Sequence, residues 1–308
     1  MNHKHLIAVA AALVAGSAFA QGTEIYGRIN LSLERQDVAG TKKTVVQDNA
    51  SRIGFRGTED LGGGLKAGFV IEHGFNADTG SANTGGNHVG GFWGRESTLS
   101  LSGSFGTVRL GNMPASEAYF ATADYVSMHN HDTGTSSDAL YGFAATGQLT
   151  SAIAYTSPTM GGLRLDIQYG FKEGTRPDAP MAIAANYDAG PLHLGFGYEE
   201  FDGAKSTAVR ALYELGAFTV GGYYEKGSGD LRYNNFRLAG MYTMGASEFH
   251  VNYGRRGDTN GVDGTDRNQF TLGYNYNLSK RTKVYAFYTK LGGAADFNSL
   301  ALGMRHNF

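Results

Sequence analysis

The sequence predicts an all-β protein, a transmembrane antiparallel β-barrel of sixteen strands. Three observations lead there. Apolar and polar residues alternate with period two along most of the chain, where helix-period patterning is hard to find. Sixteen such segments can be counted, an even number, as single-chain bacterial outer-membrane barrels have. After the first twenty residues, no stretch offers eighteen consecutive apolar residues, so a membrane-spanning helix is not expected.

The strands are expected at 24–34, 50–58, 65–75, 92–103, 106–112, 150–157, 162–172, 181–189, 191–201, 205–214, 217–226, 232–243, 246–255, 267–277, 281–291 and 298–308. The seventh shows the pattern best. Leu163, Leu165, Ile167, Tyr169 and Phe171 share one face, while Arg164, Asp166, Gln168, Gly170 and Lys172 share the other. Phe218-Val220-Gly222-Tyr224, Phe236-Leu238-Gly240-Tyr242, Phe249-Val251-Tyr253, Phe270-Leu272-Tyr274-Tyr276 and Leu300-Leu302-Met304-His306-Phe308 repeat it. Ten residues at about 3.3 Å each, tilted by about 45°, rise roughly 23 Å, close to the apolar band of an outer membrane. Short connections such as Leu215-Gly216 and Ser279-Lys280 are expected to alternate with long polar ones such as 76–91 and 256–266. A soluble β-sandwich would use the same alternation. It is disfavoured because the second face of each strand carries glycine and charge over nearly the whole length, with no helical layer to cover it, and because no linker divides the chain.

Composition agrees. The chain of 308 residues carries 46 glycines, roughly twice ordinary usage, but only 5 prolines and no Gly-X-Y period, which excludes a collagen-like chain. With 41% hydrophobic residues and a net charge of −2 it is not a disordered chain. Zero cysteine excludes a disulfide scaffold and any cysteine-ligated metal site. Balanced charge gives no basis for nucleic-acid binding.

The first twenty residues read as a signal peptide: a short basic start with Lys4, an apolar run from Leu6 to Ala15, and the small-x-small site Ala18-Phe19-Ala20 before Gln21. The expected organisation is therefore 1–20 signal peptide and 21–308 barrel. Removing Lys4 leaves 25 basic against 28 acidic residues, a formal charge of −3 on the exported chain.

Several motifs carry a family resemblance. Ser51-Arg52-Ile53-Gly54-Phe55-Arg56-Gly57-Thr58-Glu59-Asp60-Leu61-Gly62-Gly63-Gly64-Leu65-Lys66-Ala67 resembles the second-strand, turn and third-strand signature of the general porins of Gram-negative bacteria, of the neisserial and betaproteobacterial type. Ser104-Phe105-Gly106-Thr107-Val108-Arg109-Leu110-Gly111 is similar to their strand entering the constriction loop. Tyr26-Gly27-Arg28, Leu278-Ser279-Lys280-Arg281-Thr282 and the terminal Phe308 are similar to that family as well. The resemblance covers essentially all of the exported chain. It implies a homotrimeric diffusion channel in the cell outer membrane, set among lipid and lipopolysaccharide, that passes ions and small hydrophilic solutes. No enzymatic activity and no cofactor are implied. The segment from Asn112 to Leu149 resembles by position the third loop, which folds inward and narrows the pore. Here the Pro-Glu-Phe-Gly-type motif of that loop is absent, and Asn112 stands where many relatives carry a basic residue.

Strand parity sets what faces inward. If the apolar faces meet lipid, Arg28, Arg52, Arg56, Lys66, Arg109 and Arg305 point to the interior on strands that adjoin once the barrel closes. The loop contributes Glu117, Asp124, Asp132 and Asp138, of which Glu117 and Asp124 are expected at the constriction. A basic wall opposite an acidic loop would set a transverse field across the narrow water column and give weak anion preference. The alternative role for the arginines is to pair with Glu34, Glu72 or Glu96 and brace the wall.

Other chemistry has little support. Gly62-Gly63-Gly64 lacks a following Gly-Lys-Ser/Thr and fits a tight turn better than a phosphate loop. His129-Asn130-His131-Asp132 could ligate a metal but has no further spaced ligands. No nucleophile elbow is present. Two alternative classes share the barrel: a plugged adhesin or structural anchor, and an outer-membrane hydrolase assembled from distant residues.

Overall fold

A computed structural model describes residues 21–82, 91–126, 138–142, 149–173 and 178–308. The expected signal peptide, Asp132 and the His129–Asp132 cluster lie outside the described residues. The chain forms one antiparallel sheet closed on itself. Its strands are β1 (Gln21–Val38), β2 (Thr41–Asp48 continued by Arg52–Gly62), β3 (Leu65–Asn76), β4 (Glu96–Gly103), β5 (Gly106–Asn112), β6 (Ala152–Thr156), β7 (Leu163–Gly170) and β8 (Met181–Ala189). They continue with β9 (Leu192–Phe201), β10 (Ala204–Leu215), β11 (Phe218–Gly229), β12 (Tyr233–Met244), β13 (Ser247–Arg256), β14 (Arg267–Asn277), β15 (Thr282–Gly293) and β16 (Phe297–Asn307). Each pairs with its neighbours in sequence, and β1 pairs with β16 from Arg28↔Asn307 to Val38↔Phe297. The fold is the expected sixteen-stranded barrel.

Strand β2 is one strand broken by a bulge. Its upper part pairs with β1 at Leu31↔Asp48 and its lower part at Arg28↔Arg52, so one more residue lies on β2 than on β1 between the two pairs. Ala50, at φ 59°, takes the left-handed conformation the bulge needs. Because side-chain direction alternates, the extra residue flips the inward parity from odd positions above to even positions below. Gln47 and Arg52 therefore face the same side, opposite Ser32 and Arg28 of β1.

Connections differ from the expected alternation of short and long. At the end that carries the chain termini they hold two to six residues. At the other end, four connections are long, while Ala39-Gly40, Asp202-Gly203, 230–232 and 294–296 are hairpin-tight. Ala39 and Gly40 have φ of 49° and 83°, and Asp202 and Gly203 of 47° and 82°. Positive φ at both central residues makes the primed turns whose twist matches a two-residue hairpin.

The core lies inside the barrel. Ile29, Leu33, Leu99, Leu110, Ile167, Val209, Leu238, Val251, Leu272, Leu300 and Leu302 are exposed on the outer wall, as lipid contact requires. The buried cluster instead joins Met113, Tyr119, Ala123, Val126, Tyr141 and Leu149 of the loop after β5 to Ala152, Ala154, Phe201, Ala208, Leu212 and Tyr223 of the inner wall.

Candidate functional site

The loop after β5 enters the interior because the wall is shaped for it. Its base is closed by the Met113 N–H donating to the Leu149 carbonyl at 2.9 Å. Ser116 then caps a short helix, α1 (Glu117–Tyr119), its hydroxyl accepting from Ala118 N–H at 3.2 Å. The helix runs on as a π-helical turn, Phe120–Asp124. Gln168 of β7 holds this entry at two points, accepting from Glu117 N–H at 2.8 Å and donating to the Ala115 carbonyl at 3.1 Å. Opposite lie Gly195 and Gly197 of β9. A Cβ on Gly197 would sit 2.7 Å from the Ala118 carbonyl oxygen, and one on Gly195 would fall on that of Ala121. Only glycine lets the loop backbone rest on the strand.

Beyond α1, Tyr125 covers Arg210 of β10, whose guanidinium lies 3.6 Å from the ring centroid. The Tyr125 hydroxyl reaches Asp188 of β8 at 3.1 Å. The loop docks again over 138–142. Asp138 accepts from Leu140 N–H at 2.9 Å. Its other oxygen accepts from Tyr223 at 2.7 Å and pairs with Arg237 of β12 at 2.9 Å, both charged side chains being at most 1% exposed. Ala139 N–H donates to Gln269 of β14 at 3.0 Å, and the Tyr141 hydroxyl to Glu199 at 2.9 Å. The described parts of the loop thus reach from β5 to the inner faces of β7 through β14.

Arginine 237 and the Tyr125 carriage over Arg210 were not singled out by sequence reasoning. Parity does place both arginines inward, between Phe236 and Leu238 and between Val209 and Ala211. Their loop partners lie 85 to 99 positions away, and nothing in the local sequence marks such a pairing.

The six predicted basic residues all occupy inward register positions. Arg28 stands directly opposite Arg52, and its Nε donates to Asn307 at 3.2 Å. Arg305 stands opposite Asn30 on one side and Lys283 on the other. Arg109 pairs with Glu117 at 2.8 Å, with side chains 19% and 13% exposed. Arg56 pairs with Glu24 at 2.8 Å, over the ring of Tyr26, with both side chains about half exposed. Lys66 sits exposed beside the turn that joins β2 to β3, opposite Asp60. Asp124 ends the π-helical turn, half-buried.

The loop acids are more engaged than the picture of an acidic loop across from a basic wall suggests. Glu117 touches its wall arginine, and Asp138 is buried against Arg237 on another part of the barrel. Burial, followed by the nearby Asp166 carboxylate, raises the Glu117 pKa despite Arg109. Burial also works against the Asp138 charge, but Arg237, Tyr223 and the Leu140 N–H outweigh it and hold its pKa low. Of the bracing acids considered, Glu72 pairs with Arg95 at 2.5 Å, Glu34 accepts from Ser32, Gln36 and Ser299, and Glu96 accepts from Thr98. Among the described residues, no group of three metal-ligand side chains comes together.

The arrangement is a closed wall with apolar residues outside, charges inside and an anchored loop across the interior. Residues 7–296 match the family model described as Gram-negative porin. The chain is 32% identical to outer membrane porin protein 32 of Delftia acidovorans, over 92% of this chain and 87% of that one. It is 28% identical to the major outer membrane protein P.IB of Neisseria lactamica over 99% of both. Among solved structures, an anion-selective porin from Comamonas acidovorans superposes with a TM-score of 0.74 at 24% identity, covering 93% of this chain and 99% of the other.

Proposed function

The chain belongs to the Gram-negative porin family, an outer-membrane β-barrel channel, and from that premise we propose that it is a general diffusion pore with weak anion preference. The observation that carries the preference is the basic inner wall. Arg28, Arg52 and Arg305 lie on the adjoining strands β16, β1 and β2, and Arg109 sits where the loop enters. Local charge outweighs the net −3 of the exported chain because surface potentials fade over about 8 Å at physiological salt. At about 4 Å and an effective dielectric near 20, one charge is worth about 4 kcal/mol. Glu117 and Asp138 each face an arginine at contact distance, so the Arg109–Glu117 and Arg237–Asp138 pairs largely offset themselves. The preference at neutral pH leans on the other wall residues, Arg109 adding to it as Glu117 is neutralised. In this reading Arg28, Arg52, Arg56, Lys66, Arg109 and Arg305 line the path, and Glu117 and Asp124 lie at its narrowest point.

The pore is exported with cleavage after Ala20 and works as a homotrimer among outer-membrane lipid and lipopolysaccharide, without cofactor or enzymatic activity. The family resemblance and the apolar outer wall support this assembly. Reversal potentials in a potassium chloride gradient across planar bilayers test the selectivity. Wild type should favour chloride, and Arg52→Gln with Arg109→Gln should shift the potential towards cation preference. A cation-selective wild type, or a double variant that does not move, would refute the basic-wall mechanism. The same recordings separate an open pore from a plugged anchor, which would show no conductance steps.

A further inference from the structure

One tier of the outer wall is polar and repeats with the strands. Near their loop-side ends, Lys226 of β11 stands opposite Asn234 of β12, Arg255 of β13 opposite Asn268 of β14, and Lys290 of β15 opposite Asn298 of β16. These six share parity with the exposed Val220, Leu238, Val251, Leu272, Tyr288 and Leu302, so they face away from the interior. One step towards the middle of the wall, each pair stands on an apolar one: Tyr224 opposite Phe236, Tyr253 opposite Phe270 and Tyr288 opposite Leu300. Aromatic residues on the outer face of a barrel mark the boundary between hydrocarbon and headgroups. The polar tier therefore lies at headgroup depth, at the end with the long loops, which faces out of the cell in such barrels. By contrast, the outward positions of β3 to β9 carry no lysine or arginine. The tier belongs to one sector of the wall.

Each pair presents donors. Lys226 stands between Thr207 and Asn234, and Lys290 between Phe270 and Asn298, so neither has an acid directly opposite. Arg255 meets Asp266 at 3.4 Å, with the side chains 59% and 29% exposed, a contact that leaves most of its N–H groups for another anion. The Tyr224 hydroxyl donates to the Asn234 carbonyl oxygen at 3.0 Å, which leaves the amide N–H groups beside Lys226. The Asn268 side chain lies over Gly292, where a Cβ would sit 2.8 Å from its oxygen, and so leans towards the strand that carries Lys290. We infer that these three cation–asparagine pairs seat the phosphates of a phosphorylated glycolipid, the lipopolysaccharide of the outer leaflet. A cation beside an amide N–H matches two oxygens of one phosphate. A phosphomonoester carries about −1.5 to −2 at pH 7, more than the single charge of a phospholipid diester, and so gains more from such a seat. The cations stand on alternate strands, about 10 Å apart, which lets neighbouring phosphates be held side by side. A neutral lipid would leave three cations at the edge of the hydrocarbon without a counter-charge. The site rests on the outer-membrane placement above and names the residues that the lipid meets.

Lipid A is the probe, titrated in mixed detergent micelles into the folded exported chain, with bound lipid measured after gel filtration. Binding to wild type should saturate. Lys226→Gln with Lys290→Gln should raise the half-saturating concentration at least tenfold, the equivalent of losing one charged contact or more. Lys280→Gln, in an exposed turn at the opposite end, should leave it unchanged. Lipid A stripped of its phosphates should bind wild type at least tenfold more weakly. Equal binding of the stripped lipid, equally tight binding of phosphatidylglycerol, or a double variant that matches wild type would each overturn the site. Heat-modifiable gel migration identifies folded variants before the titration. Conductance steps in planar bilayers report the pore separately: a chain that conducts but ignores the lipid phosphates refutes this site alone, and one that binds lipid A without conducting refutes the pore alone.

Discussion

Gly195 and Gly197 decide how closely the loop lies against the wall, since a side chain on either would meet the backbone of α1 or the turn that follows it. Gly195→Val should therefore displace the Phe120–Asp124 turn from β9 while leaving the strand paired, and single-channel conductance should change with no change in heat-modifiable gel migration. The second anchor is electrostatic. Arg237→Met would leave the Asp138 carboxylate buried without its cation, an arrangement that costs about 3–5 kcal/mol. The loop should then detach over 138–142, seen as noisier, larger conductance and as faster proteolysis within the loop. Asp138→Asn with Arg237→Met should restore part of the quiet state. The two loop acids respond to pH in opposite senses. Asp138 has a lowered folded pKa, so its contribution is complete above the ordinary aspartate value near 3.9 and is lost only as pH falls through the lower folded value. Glu117 has a raised folded pKa, so the folded state binds the extra proton between the ordinary glutamate value near 4.3 and that higher one. Across that window stability falls as pH rises. Lowering pH into it neutralises Glu117 and uncovers the Arg109 charge, so anion preference should increase. Reversal potentials measured against pH should show the rise in wild type and not in Glu117→Gln.

At the scale of the strand, the bulge in β2 keeps the two halves of one strand on the same faces. Deleting Ala50 would remove the extra residue and send either Gln47, Val45 and Lys43 or Arg52, Gly54 and Arg56 to the lipid side. The deleted chain should fail to form a heat-modifiable barrel, whereas Ala50→Gly should fold and gain about 1 kcal/mol by relieving a left-handed alanine. The strands themselves were legible from alternation, with most boundaries within a few residues. What alternation left unread was the Thr41–Asp48 extension of β2, whose Thr-Lys-Lys-Thr start has no apolar face. The expected alternation of short and long connections also failed at the end expected to carry long loops, where four are tight. The expected strand bounds left only 202–204 between the ninth and tenth strands but as many as 35–49 between the first two. Asp202-Gly203 is a strong hairpin signal in sequence, but Ala39-Gly40 is a weak one, since alanine seldom takes positive φ.

Over the whole molecule, closure depends on the two ends of the chain meeting. Gly27 and Phe308 exchange backbone hydrogen bonds at 3.0 and 3.1 Å, and the Phe308 ring occupies the space a Cβ on Gly27 would take. Gly27→Leu should therefore weaken the β1–β16 seam, and the folded fraction recovered in detergent should fall below that of wild type. The sequence alone determined the number of strands, the face each side chain takes and the inward parity of all six basic residues. These follow from a period of two, which is a property of the extended backbone at each residue and needs no knowledge of distant partners. The tertiary structure decided which charges meet: Glu117 with Arg109, Asp138 with Arg237, and Arg28 and Arg52 beside Lys283 and Arg305. Those meetings depend on barrel closure, register and the path of a loop with no repeating pattern, and each joins residues whose separation along the chain carries no local signal.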